Sequence, residues 1–234
     1  MALDSFLDLP NVFALSLFVL GWLGYSFIVG RMSEGSLSRR MDRQRALWMD
    51  TLLKRELRMI DTSIMMGLQQ GTGFFASTCI FVIGGCFALI GSAEQIAAVA
   101  ADLPLFGVFD RALVEAKLLG LALIFAHAFF KFGWSYRLFN YCTILIGAIP
   151  MRTDAEREPA AAEAAVQRAL TMNRIAARHF NGGFRAIFFG IAYLGWFLGP
   201  WVLMMTTLAV LYVLAHRQFW SDAHDALSFG ENDR

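Results

Sequence analysis

Four ionisable side chains interrupt an apolar stretch between about residues 112 and 131 of this sequence. They are Glu115, Lys117, His127 and Lys131. On an α-helix, Lys117, His127 and Lys131 lie on one face, and Glu115 points the other way. Ionisable groups at membrane depth are costly in lipid and commonly mark a route for ions or solutes. The pattern predicts a polar pathway. The alternative is that Glu115 and Lys131 reach opposite interfaces while His127 is hydrogen-bonded inside a bundle.

Side-chain combinations that would indicate catalysis or a cofactor are missing from the sequence. His127 and His216 lie near opposite ends of their apolar stretches, so they cannot share one haem iron. His179 could approach His127, but it lies in a linker. No metal-ligand spacing, nucleophile elbow, P-loop or dinucleotide fingerprint occurs, and the three cysteines predict no disulfide. We therefore expect no catalytic, cofactor-binding or metal site, and an enzyme is disfavoured.

Long uncharged stretches of the sequence predict the membrane-spanning helices that would carry these polar residues. No Asp, Glu, Lys or Arg occurs in residues 9–30, 62–93 or 186–216, and about 20 apolar residues cross the hydrocarbon core as a helix. The chain is 57% hydrophobic, with a mean hydropathy of +0.53. The sequence predicts one all-α domain over residues 1–234, a four-span transmembrane helical bundle. Spans are expected at about 11–30, 71–92, 112–131 extending to about 149 as one long helix, and 186–214.

Small residues predict close helix packing at two places. Gly67 and Gly71 form one pattern of two glycines four residues apart, and Gly195 and Gly199 form another. Such spacing lets helix backbones approach each other in a membrane. Pro200 is expected to kink the fourth span.

The distribution of charge predicts the orientation. The segments 31–61 and 131–185 hold sixteen of the twenty Lys and Arg residues, eight in each. The positive-inside rule places the linkers 31–61 and 150–185 in the cytoplasm and both chain termini outside, in a bacterial inner membrane. Residues 1–10 are acidic and lack the basic region of a signal peptide, so the first span is expected to remain as an anchor.

Both linkers are predicted to contain basic amphipathic helices. Residues 38–60 place apolar side chains such as Trp48 and Leu52 on one side and arginines opposite them. Residues 160–180 form an Ala-rich helix that is expected to stop at Asn181–Gly183. Such helices suit an anionic cytoplasmic leaflet. They would bind lipid headgroups without specificity, or else recognise a particular lipid or soluble partner.

Polar residues from three segments share the depth at which the spans meet the cytoplasm. A buried network of ion pairs and amides there would hold the helices together. Its candidate members are Arg58, Asp61, Arg137, Asn140, Asn181 and Arg185.

The same segments resemble a known family. They are RELR at 55–58 with Asp61 and Thr62, FFAST at 74–78, WSYR at 134–137 with Asn140 and Tyr141, and NGGFRA at 181–186. Together they are similar to a family of small integral membrane proteins of bacteria and plants, a domain of unknown function numbered five-nine-nine. The chain has Ile187, Phe188 and Phe189 where a tyrosine-rich stretch is expected. The resemblance implies a four-span fold and no activity.

Two functions remain open at this level. The first is a homo-oligomeric channel or transporter for ions or small solutes, in which a ring of subunits lines a path with the polar residues of the third span. The alternative is a non-catalytic scaffold or partner subunit that acts through its basic cytoplasmic helices. The expected partners are anionic lipid headgroups, further copies of the chain and a membrane protein, and nothing indicates nucleic acid. An enzyme acting on lipid at the inner interface is less favoured.

Overall fold

The computed structural model describes residues 8–31, 35–92, 94–95 and 111–227, and these contain helices and no strands. The all-α prediction is confirmed. In chain order the helices are α1 Leu9–Arg31, α2 Leu37–Leu52, α3 Met59–Gly91, α4 Arg111–Gly147, α5 Arg152–Arg157, α6 Pro159–Leu198, α7 Pro200–Phe219 and α8 Asp222–Ala226.

Four helical segments of the described chain are long and apolar enough to cross a membrane. They are Leu9–Gly30, Met59–Gly91, Arg111–Gly147 and Pro200–Ala226. The expected single helix over about 112–149 is confirmed by α4, whose 37 residues extend about 55 Å at 1.5 Å per residue. This is well beyond the roughly 30 Å hydrocarbon core. The helix α4 therefore continues out of the membrane.

The prediction of a fourth span over 186–214 is wrong, because the chain reverses direction in the middle of that stretch. Gly199 has φ +134° and ψ 166°, a conformation that is essentially restricted to glycine. Pro200 then occupies the first turn of α7, where its missing N–H is not needed. The Thr206 hydroxyl donates to the carbonyl of Ala192 over 2.7 Å. In one continuous helix these residues would be about 21 Å apart, so α6 and α7 form an antiparallel hairpin and not a kinked span.

The reversal also corrects the predicted topology. Gln218 Nε2 donates to Ser38 Oγ over 3.0 Å, and His224 Nε2 lies 2.8 Å from the carbonyl oxygen of Gly35. The C-terminal end of α7 thus lies beside the first linker. At the opposite end of the bundle, Trp196 Nε1 donates to Asn11 Oδ1 over 2.9 Å. Asn11 and Gln218, near the two ends of the described chain, therefore lie at opposite ends of the bundle, and this contradicts the predicted N-out, C-out arrangement.

The predicted helix stop at Asn181–Gly183 is also wrong, since α6 passes through it without interruption. A Cβ built on Gly183 would lie 2.7 Å from the ring of Phe132, which is fully buried. The glycine permits α4 and α6 to approach closely, and the rings of Phe75, Phe180 and Phe184 surround the same point. Packing across this contact offsets the low helix propensity of glycine.

Only one of the two glycine patterns lies at a close contact. A Cβ on Gly195 would lie 2.5 Å from Thr206 Oγ1, inside the α6–α7 hairpin. A Cβ on Gly67 or Gly71 would meet nothing within 4 Å among the described residues. Gly67 and Gly71 therefore do not form a close helix contact among the described residues.

The two larger hydrophobic clusters of the described residues follow one another along the paired helices α4 and α6. The first lies between the spans and includes Phe18, Phe189 and Trp196. The second lies at the end of the bundle where α2 packs, which we call the linker end, and it includes Met49 and Leu52 of α2. Because both of these α2 side chains are fully buried, the apolar side of α2 packs against protein. The predicted helix over 38–60, lying along the membrane, is replaced by a shorter one that ends at Leu52.

Candidate functional site

Lys117, the first member of the predicted pathway face, is inside the protein. Its side chain is 6% exposed, and Nζ donates to the carbonyl of Trp196 over 2.8 Å. The ammonium also lies 5.2 Å from the centroid of the Trp196 ring and 5.9 Å from that of Phe197. The last carbonyls of a helix carry partial negative charge and lack intrahelical donors. Lys117 therefore stabilises the C-terminal end of α6 at the hairpin.

The other three predicted residues each have a different neighbour. Glu115 accepts from Arg111 Nε over 2.8 Å, one turn earlier on α4. His127 is exposed on the outside of the bundle, with its ring edge-to-face against Trp22 at 5.6 Å. Lys131 is half-buried and lies beside Gly182 of α6. One chain does not bring the four predicted residues together in a common cavity.

The predicted inner-boundary network divides into separate groups, and the first surrounds Asp61. This carboxylate is fully buried in the first turn of α3. Trp48 Nε1 donates to it over 2.7 Å, and Arg55 Nη1 also donates to it. Negative charge is favourable at a helix N-terminus. Asp61 thus joins α2 to α3 through Trp48, and its ion-pair partner is Arg55 of the connecting segment, which was not among the predicted network residues.

Arg58 has a second, separate role. Its guanidinium donates to the carbonyls of Ile149 and Pro150, over 2.6 Å in each case. Those carbonyls directly follow the end of α4, where no intrahelical donor is available. Arg58 therefore ties the start of α3 to the end of α4.

Arg137 does not join either group. Its Nε donates to the hydroxyl of Tyr141 over 2.6 Å on the exposed side of α4. Asn140 is half-buried on the same helix. Arg137 shares the depth of the network but faces outward.

Asn181 and Arg185 instead line a cavity of about 320 Å³ at the linker end, between α1, α2, α6 and α7. We call this cavity the arginine pocket. Its polar lining includes Tyr25, Arg45, Asn181, Arg185, Arg217 and Gln218. Apolar side chains complete the wall, among them Val29, Phe184, Phe188 and Leu214. The pocket thus combines cationic and apolar surfaces at one end of the bundle.

The arginine pocket carries net positive charge. Three arginines line it, and its described lining contains no aspartate or glutamate. Arg45 pairs with Asp42 over 2.9 Å, one turn earlier on α2. The guanidinium of Arg217 lies 5.6 Å from the centroid of the Phe188 ring. Since guanidinium groups are suited to carboxylate and phosphate, the pocket can accept an anion.

A second concave surface lies between α2 and α6. We call it the arginine groove, of about 440 Å³, and it is lined by Arg39, Asp42, Arg43, Arg174 and Arg178. Arg174 Nη2 donates to the backbone carbonyl of Asp42 over 3.0 Å and so fixes α2 against α6. Among the described residues, the linker end of the bundle therefore contains both the arginine pocket and the arginine groove.

The family is established over nearly the whole chain. A family model described as "Protein of unknown function, DUF599" matches residues 13–223 of the 234. This chain is a member of the DUF599 family. No curated protein and no solved structure matches it. The matched region of this DUF599 protein contains both arginine-lined surfaces and the Asp61 group.

Several site residues of the DUF599 chain were missed by the sequence analysis. Arg217 lies just after the long uncharged stretch, so the predicted topology placed it at the opposite end from Arg185. Tyr25 lies within an uncharged span, and its hydroxyl donates to the carbonyl of Leu214 over 3.0 Å. The glycine–proline pair at 199–200 was the available signal for the reversal that brings these residues together.

Proposed function

We propose that this DUF599 protein is a non-catalytic membrane scaffold that gathers anionic lipid around its linker end. The observation that supports the proposal is the clustering of arginines there, in a pocket and a groove whose described lining residues include a single carboxylate, Asp42. Anionic headgroups and their phosphates are the ligands that such a surface attracts. The groups at the other end, Lys117 and Asn11, are bonded to α6.

The proposal assigns the linker end to the cytoplasm. Sixteen of the twenty basic residues belong to the segments 31–61 and 131–185, and short cytoplasmic loops carry such an excess. The second half of α6 packs against α7, so we propose that it also crosses, as a fifth and shorter segment beside the four that are long enough alone. The arrangement is N-terminus outside and C-terminus inside, in a bacterial inner membrane.

Cysteine labelling of intact cells tests this orientation. We expect Asp8→Cys to react with a membrane-impermeant reagent, because residue 8 is exposed at the outer end. Asp154→Cys and Asp225→Cys, with exposures of 61% and 72%, should react only after permeabilisation. The three native cysteines are buried and give a low background. Reaction of Asp225→Cys in intact cells, with Asp154→Cys protected, would contradict the hairpin.

A homo-oligomeric channel or transporter is the second candidate, and His127 is the residue that favours it. An exposed imidazole on the outside of the bundle is unfavourable in lipid and would be better placed against another subunit or in water. A ring of subunits could then bring copies of His127 together. Lys117 is buried in its own subunit and would not line such a path.

Two measurements on one reconstituted sample separate these functions. In vesicles of equal parts phosphatidylcholine and phosphatidylglycerol, the scaffold should leave the membrane sealed to small ions. Polymer-extracted particles should be enriched in phosphatidylglycerol, and Arg39→Gln with Arg43→Gln should lower that enrichment, as should added salt. Unaltered lipid composition around the wild-type protein would refute the scaffold. Ion flux that His127→Gln abolishes would establish the channel.

A further inference from the structure

The arginine pocket has the properties of a specific lipid site and not only of a charged surface. We propose that it binds one anionic phospholipid, with the phosphodiester at Arg185 and Arg217 and the first methylenes against Phe184 and Phe188. This inference deepens the scaffold function proposed above and rests on it.

The depth of the pocket matches the position of lipid phosphates. Tyr25 and Val29 lie in the last two turns of α1, and Leu214 and Arg217 lie in the last two turns of α7. Both helices are long enough to cross the hydrocarbon core and end here. Headgroups occupy the region just beyond that core. The pocket therefore opens where a phosphodiester is naturally found.

The charge of the pocket matches a phosphodiester. No carboxylate of the described residues lies within ion-pair distance of Arg185 or Arg217, whereas Arg45 has Asp42. A guanidinium held near lipid without a counter-charge is unfavourable. A phosphate between the two arginines would supply that charge and accept bidentate hydrogen bonds. Arg185 and Arg217 come from antiparallel helices, so only the folded hairpin places them together.

The size and lining of the pocket favour a headgroup joined to acyl chains. Its volume of about 320 Å³ is at the lower end of small-molecule sites, which span about 300–1,000 Å³. That space holds a headgroup and the first methylenes, but not a whole lipid. Asn181 and Gln218 offer uncharged hydrogen bonds on the polar side. Phe184 and Phe188 form an apolar wall that a free phosphate ion would not use.

The arginine groove is a poorer candidate for a specific site. Asp42 contributes a carboxylate to its lining, and the groove has almost no apolar wall. It attracts anions in general, which makes its exposed arginines a suitable control. Arg39→Gln with Arg43→Gln changes the net charge by the same amount as Arg185→Gln with Arg217→Gln.

Native mass spectrometry of the full chain, titrated with phosphatidylglycerol, tests the inference. We expect one lipid to bind before the others, with an affinity that falls at least about tenfold in Arg185→Gln with Arg217→Gln. The groove variant should keep that first binding event. Phosphatidylcholine should not compete for the site, and inorganic phosphate should displace the lipid only weakly, since it lacks methylenes.

Each alternative outcome has a defined meaning. Equal losses in the pocket and groove variants would overturn the specific site and leave the scaffold function standing, as general attraction by charge. Equal binding of phosphatidylcholine would also overturn it. Inorganic phosphate that binds as tightly as the lipid would make the pocket a phosphate site.

If the glutamine variants do not fold, Arg185→Lys with Arg217→Lys keeps both charges. That variant should still bind more weakly, because lysine lacks the guanidinium fork, and unchanged affinity would refute the proposal.

Discussion

Replacing Asp61 with alanine is expected to destabilise the protein by about 3–5 kcal/mol, the usual cost of removing one partner from a buried ion pair. The Asp61 carboxylate is fully buried and accepts hydrogen bonds from Trp48 and Arg55. Its loss leaves a partly buried indole N–H and a partly buried guanidinium without their acceptor. Equilibrium unfolding in mixed micelles, followed by circular dichroism, measures the change.

Glu56→Ala is the matched control, five residues earlier in the chain. Glu56 pairs with Arg152 over 3.0 Å, but the two side chains are 73% and 50% exposed. Exposed pairs contribute less than about 1 kcal/mol. Arg137→Ala should be similarly mild, since Arg137 is exposed. Equal effects of Asp61→Ala and Glu56→Ala would show that the Asp61 group is solvated and does not join α2 to α3.

Gly183→Ala and Gly182→Ala are expected to have opposite effects on stability, although they alter neighbouring residues of one helix. Both gain the helix propensity of alanine, about 1 kcal/mol. A Cβ at 182 makes only an ordinary contact, 3.5 Å from Lys131. At 183 it would lie 2.7–2.8 Å from three ring atoms of the fully buried Phe132. Overpacking of this kind costs about 1–3 kcal/mol.

The difference between these two variants isolates the α4–α6 contact, because the propensity gain cancels. Thermal unfolding in one detergent gives both values on the same scale. Gly183→Ala combined with Phe132→Leu should recover part of the loss, since the smaller side chain relieves the clash. Equal stability of Gly182→Ala and Gly183→Ala would mean that α4 and α6 leave room for a Cβ beside Phe132.

The helical membrane fold could be predicted from the sequence because hydropathy and length require it. The one long helix α4 was expected for the same reason, since no glycine–proline pair interrupts residues 112–149. Hydropathy does not report chain direction, however. The uncharged run 186–216 is equally apolar as one span or as two antiparallel segments. The conformation of Gly199 decides between them. The hairpin that it forms places Arg217 at the same end of the bundle as Arg185.

The candidate site was predicted only in part, because the sequence gives the depth of a residue along a helix but not the direction in which it faces. Distance along a helix gives depth, so Asp61, Arg58, Arg137 and Arg185 were all expected near one boundary. Rotation about the helix axis decides which of them meet, and it depends on packing between helices. Arg137 faces outward, whereas Asp61 faces α2 and bonds to Trp48. Sequence spacing alone cannot select such partners.

The reversal at Gly199 also has a consequence for biogenesis. Between Arg185 and Gly199 the chain offers only thirteen uncharged residues, fewer than the roughly 17 that a single inserting helix needs. That segment gives the insertion machinery a weak signal by itself, whereas α7 is long and apolar enough to cross a membrane. The two are expected to enter the bilayer together as a loop, with Gly199 leading. With the orientation proposed above, Arg185 is expected to remain at the cytoplasmic surface until α7 has left the ribosome.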